Sequence, residues 1–166
     1  MAGRKAAAAV GARARDSSAR QIASFLAKYD PKIARAARAS RTKMRKIVPG
    51  GTEFVYDNYN ALVFGYGPTE RPSEAVLSLA IMPRWVTLCF LKGARLRDPG
   101  KLLGGSGNVV RNMHLKSPDH LEDADVRDLI SQSISSARPP FTGKPGKQQT
   151  IIKSISAKQR PRRPAS

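Results

Sequence analysis

Val76-Leu77-Ser78-Leu79-Ala80-Ile81-Met82, then Pro83-Arg84, then Trp85-Val86-Thr87-Leu88-Cys89-Phe90-Leu91 is the stretch that decides the fold. Two short apolar runs rich in β-formers are separated by a single dipeptide with turn chemistry. The chain must double back there, and the pair reads as an antiparallel hairpin at the centre of a sheet. Upstream the apolar period is also twofold. Phe54 and Tyr56 alternate in one strand, Asp57 to Asn60 supplies a turn, and Leu62, Phe64 and Tyr66 alternate through a second strand that ends at Gly67-Pro68. Downstream, Val109 to Leu115 reads as a further strand. The expectation is an antiparallel sheet of about five strands.

The flanks have helical spacing. Ser18 and Gln21 have the S-x-x-Q spacing of a capping box, and Ile22, Phe25, Leu26 and Tyr29 follow at helical intervals. Asp30-Pro31 starts a second helix at once, with an inward stripe of Ile33, Ala37, Ser40, Met44 and Ile47, and Pro49-Gly50-Gly51 ends it. After the strands, Val126, Leu129, Ile130, Ile134 and Ala137 mark one face of a last helix that stops at Arg138-Pro139-Pro140. The fold class is therefore α+β: two N-terminal helices, the sheet, and a C-terminal helix, with the helices on one face. Three segments are expected, namely a basic disordered leader at 1–17, the domain at 18–137, and a basic, mostly disordered tail at 138–166 whose composition is poor in apolar residues.

Lys and Arg total 30 against 12 acids, a formal charge of +18 in 166 residues. Such a balance favours a polyanionic partner. The excess sits in the two ends of the chain and in the second helix, while the middle is nearly neutral. Cys89 is the single cysteine, which excludes an intrachain disulfide and a thiolate zinc cluster and suits a reducing, cytoplasmic setting. No apolar run reaches the ~18 residues that a membrane span needs.

Several ordered motifs resemble one family. Tyr56-Asp57-Asn58-Tyr59-Asn60-Ala61-Leu62, Pro83-Arg84-Trp85-Val86, Lys92-Gly93-Ala94-Arg95-Leu96 with Asp98-Pro99-Gly100, and Leu103-Gly104-Gly105-Ser106-Gly107 with Arg111 are similar to the YdhG-like, frataxin-like domain over roughly residues 20–137. The resemblance implies a frataxin-like sandwich in a family largely of unknown function. It also implies an alternative role in binding and delivering iron. The helical region where such an acidic ridge would lie carries arginines here, so iron could fall only to Asp119, Glu122, Asp123 and Asp125, whose ordinary role is to cap the last helix.

The leading functional expectation is a non-enzymatic binding domain for a small or anionic ligand at the glycine-rich loop. Its glycines let backbone amides approach an anion, and cations lie nearby. The candidate ligand residues are Lys92, Arg95, Arg97, Gly104, Gly105, Ser106, Gly107 and Arg111. The loop lacks the lysine and hydroxyl that complete a P-loop. Arg111 falls on the parity of Met113 and Leu115, so its guanidinium needs acceptors, and Asp98 or loop carbonyls are the expected partners. A second alternative is nonspecific binding of nucleic acid or an acidic partner through the tails and a basic face of Arg35, Arg38, Arg41 and Arg45. Cys89 reads as core and His114 as a surface residue. No nucleophile with a base is recognisable, no cofactor is expected, and oligomeric state is not encoded in any motif.

Overall fold

Residues 2–165 are described by the computed structural model, with side chains from residue 6 onward; Met1 and Ser166, the outermost residues of the two basic segments, lie outside them. The hairpin reading is met by β3 (Leu77–Ile81) and β4 (Val86–Phe90), which pair antiparallel with Leu79 opposite Leu88. They are flanked by β2 (Leu62–Gly67) and β5 (Arg111–Leu115), and β1 (Thr52–Asp57) pairs with β2. A sixth strand, β6 (Gln149–Ile155), lies beside β1 and runs parallel to it. The order is β5-β4-β3-β2-β1-β6, so the sheet is mixed and six-stranded rather than antiparallel and five-stranded.

Register lines up Phe64, Leu79, Leu88 and Met113 across one face. All four are buried, and the same core takes in Ile22, Phe25, Leu26, Ala37, Met44, Val126, Leu129 and Ile130 from the helices. Period-2 strands and period-3.6 helices thus supply matching apolar surfaces, and the helices cover one side of the sheet.

The helices are α1 (Ala2–Leu26), α2 (Pro31–Ile47) and α3 (Ala124–Ser135). Asp30 and Pro31 begin α2 as expected, although the Asp30 side chain makes no capping bond. The leader at 2–17 is helix, not a disordered segment. Alanine and arginine are among the best helix formers, and Gln21 donates to Ser17 inside the helix instead of closing a capping box at Ser18. The last strand before α3 begins at Arg111, two residues later than the apolar pattern suggests, since Val109 and Val110 are exposed.

The larger correction concerns residues 138–165, expected as a mostly disordered tail. Gly143 packs against Gly50, whose φ of +79° suits glycine and where an added Cβ would come within 2.7 Å of the Gly143 Cα. Gln148 donates to the carbonyls of Arg45 and Val48, and the chain then enters β6. Beyond β6, Arg162 is buried and donates to Asp57 at 3.0 Å, to the Tyr59 carbonyl at 3.3 Å and to the Asn58 carbonyl. Composition missed this order because the segment buries little apolar area of its own. It is held by a backbone ladder on β1 and by cations whose acceptors lie elsewhere in the chain.

Asp57 is fully buried and also accepts from Lys28. Burial alone would raise its carboxyl, but hydrogen bonds from Lys28, Gln159 and Arg162 outweigh burial and hold it below its ordinary value of 3.8. Removing one partner of a buried ion pair costs about 3 kcal/mol or more. Arg162→Ala should therefore lower the melting temperature by about 6–12 °C in differential scanning calorimetry. A shift under about 2 °C would show that the C-terminal segment is not fastened through Asp57.

Candidate functional site

Alternation along β1 puts Glu53, Val55 and Asp57 on the helix-covered face, paired with Tyr66, Phe64 and Leu62 of β2. Glu53 is consequently buried to 0% exposure beneath α2. Two arginines at i and i+4 on α2 reach it. Arg41 donates through Nε and Nη2 to the two carboxylate oxygens at 3.0 and 2.7 Å, and Arg45 donates through Nη1 at 2.7 Å. The Tyr66 hydroxyl donates at 2.9 Å and Thr150 of β6 at 3.0 Å. Arg45 Nη1 also donates to Thr150, which ties α2, β1, β2 and β6 into one network.

Burial alone would raise the Glu53 carboxyl, but the hydrogen bonds and charge of Arg41, with the charge of Arg45, hold it below 4.5. The Tyr66 hydroxyl is pushed well above its usual value by burial and by the carboxylate beside it. One carboxylate thus faces two guanidinium groups. The cluster keeps a net positive charge, and both arginine side chains remain about a quarter exposed. Arg41 Nη1 has no hydrogen-bond partner among the described residues, while its guanidinium lies 5.3 Å above the Phe64 ring.

The exposed side of these arginines opens into a cleft of about 570 Å³ between α1, α2 and the start of β6. Arg15 of α1 and Lys147 ahead of β6 stand at its rim, and Ser18, Thr150 and the Gln148 segment supply polar groups. Gly11, Ala14 and Ala19 form the α1 wall, and their short side chains leave the space open. The volume falls in the ~300–1,000 Å³ range of small-molecule sites. The expected basic face of α2 is thereby divided. Arg35 and Arg38 are exposed, whereas Arg41 and Arg45 are turned inward and paired with Glu53.

The glycine-rich loop between β4 and β5 is fastened rather than loose. Gly104 and Asn112 exchange backbone hydrogen bonds at 2.7 and 3.0 Å, and Ala94 donates to the Val109 carbonyl at 2.9 Å. Gly93 passes so close to β5 that a Cβ there would meet the Arg111 Cβ at 2.6 Å. Asp98 accepts from the amides of Leu102 and Leu103, so it is not the partner of Arg111. The Arg111 guanidinium donates instead to the carbonyls of Gly107 and Val110, the loop-carbonyl arrangement expected for it.

Of the loop candidates, Lys92 and Arg95 come together with Asn108 around a hollow of about 350 Å³. Arg97 lies at a separate hollow with Asp98 and Asp125, and the Arg97 backbone exchanges hydrogen bonds with Gln132 of α3. Gly104, Gly105, Ser106 and Gly107 are exposed and line neither space.

The acidic residues before α3 are engaged by a cation. Lys43 bridges Asp119 at 3.2 Å and Glu122 at 2.8 Å, and Asp123 lies 3.7 Å from His120. No group of three or more His, Cys, Asp or Glu side chains converges as a metal site among the described residues. Cys89 is half-buried, and burial raises its thiol above the usual 9.0 despite a hydrogen bond with Ser78. His114 is exposed and stacks on Trp85 with ring centroids 4.4 Å apart. No helix among the described residues is long and apolar enough to cross a membrane.

No family model, curated protein or solved structure matches the chain. Function is therefore argued from its own residues. Those that sequence reasoning missed are Glu53, Arg15, Lys147 and Gln148. A signal was present for Glu53. Glu53 and Asp57 are the two acids of the first strand in an acid-poor chain, on the opposite parity from Phe54 and Tyr56.

The carboxylate has a measurable signature. A depressed pKa means stability that is fully present above the unfolded value near 4.5 and is lost as pH falls through the lower folded value. Glu53→Gln should cost about 3–5 kcal/mol at pH 7, because two guanidinium groups lose their counterion. In urea unfolding from pH 7 to pH 2 the variant should show a shallower acid loss than the wild type. Parallel pH profiles would contradict the ion-pair account.

Proposed function

We propose that the protein is a non-enzymatic, cytoplasmic binding domain for a phosphate-bearing anion, and that the anion sits in the cleft beside α1. The observation that carries this reading is the charge imbalance at the cleft floor. Arg41 and Arg45 share Glu53 as their carboxylate, with Arg15 and Lys147 added at the rim. Guanidinium groups held in place by a buried carboxylate present donors with little ordering cost, and planar N–H forks suit phosphate oxygens. Among the described residues of the cleft no nucleophile is paired with a base, which is why the reading is binding rather than catalysis.

The hollow at Lys92, Arg95 and Asn108 is a second place for the same chemistry, favoured by its two unpaired cations among the described residues. Membership of the YdhG-like family belongs to the same proposal. Its support is that the resembling motifs fall at the β1–β2 turn, the β3–β4 hairpin and the loop before β5. The iron-delivery alternative has less support, since Lys43 occupies the Asp119 and Glu122 carboxylates.

Isothermal titration with inorganic pyrophosphate at low ionic strength tests the assignment. Saturable binding near one per chain is expected, weakened at least about tenfold in an Arg15→Gln, Lys147→Gln double variant, which removes two rim charges without touching Glu53. Binding that survives this change but is lost in Lys92→Gln, Arg95→Gln would move the site to the loop. No saturable binding by the wild type would end the proposal.

A further inference from the structure

We infer that the anion held beside α1 is a nucleic-acid backbone, and that the cleft is one stretch of a longer cationic track. This rests on the reading of the cleft as an anion site and names the polymer it serves. The cleft is open-ended. Ala6 to Val10 are exposed at every position, so α1 runs on past the cleft free of the body, and a chain could pass through.

Cations continue along α2 and the segment ahead of β6. On α2, Arg38 stands one turn before Arg41, and Arg38, Arg41 and Arg45 follow one another at i, i+3 and i+7. At 1.5 Å per residue they span about 10 Å, the reach of about three phosphates at ~3.4 Å per step along one strand. α1 adds Arg15 on its cleft-facing stripe, and Lys144 lies just ahead of Lys147 in the segment leading to β6. Arg38 and Lys144 are exposed and have no carboxylate partner among the described residues. A single small phosphate would satisfy the cleft floor and leave this extension without a purpose.

Charge segregation points the same way. Asp119, Glu122, Asp123, Asp125 and Asp128 gather at the start of α3, while Asp16 is the one acid of α1. A polyanion is thereby steered to the α1 side. No aromatic side chain among the described residues lines the cleft, so contact is with phosphates and sugars and is independent of base sequence.

The experiment is fluorescence anisotropy of the full chain with fluorescein-labelled 20-nucleotide single-stranded and duplex probes, from about 50 to 200 mM salt, with pyrophosphate as competitor. Expected are a linear fall of log K with log salt and a loss of at least about tenfold in an Arg15→Gln, Arg38→Gln, Lys147→Gln variant. The salt slope of that variant should drop by about 2–3, while Arg95→Gln, Arg97→Gln on the loop changes affinity less than about twofold. An equal effect of the loop pair would overturn the track. Pyrophosphate binding with neither polymer bound more tightly would also overturn it and leave the anion site standing. Failure of all probes, pyrophosphate included, would remove both.

Discussion

One buried carboxylate organises this fold. Glu53 lies on the helix side of β1 at a position that an apolar side chain would normally fill, and an ionised group there is tolerated only if its partners surround it. Those partners come from α2, β2 and β6, so satisfying Glu53 fixes the helix, the strand order and the docking of the C-terminal segment together. Asp57, two helix-facing positions further along β1, does the same for Lys28 and Arg162. The positively charged ends of the chain are thus not appendages. At the C-terminal end, Arg162 is the counterpart of Asp57 on β1, and Arg163 lies 3.5 Å from Asp30 at the start of α2.

The same arrangement accounts for the cleft. Two arginines attracted by one carboxylate bring more charge than it can neutralise, and the residual field is presented to solvent between α1 and β6. Alanine and glycine on α1 keep that opening from being filled. Structure and proposed binding therefore share residues, and changes to Arg41 or Arg45 would confound the two. The rim cations Arg15 and Lys147 are separable from the network that holds the fold.

Much of the architecture is readable from periodicity. Leu77 to Phe90 gives the central hairpin, Asp30-Pro31 gives the start of α2, and Val126, Leu129 and Ile130 give α3, because each signal is local and set by backbone geometry or by one apolar stripe. β6 is illegible for the opposite reason. Ile151 and Ile152 are half-buried, Ile155 is exposed and the rest of the strand is polar, so its stability comes from pairing with a strand nearly 100 residues earlier. The cleft is illegible in the same way, since Arg15, Arg45 and Lys147 meet only through tertiary contacts. The glycine-rich loop drew attention by composition, yet its glycines and Arg111 are largely used in fastening it to β5.

A double-mutant cycle on Glu53→Gln and Arg45→Gln, followed by urea unfolding at pH 7, tests the central claim most directly. A coupling of about 2–3 kcal/mol is expected if the pair holds α2 and β6 to β1. Single effects that add to within about 0.5 kcal/mol would mean that Glu53 is not the group on which these elements depend.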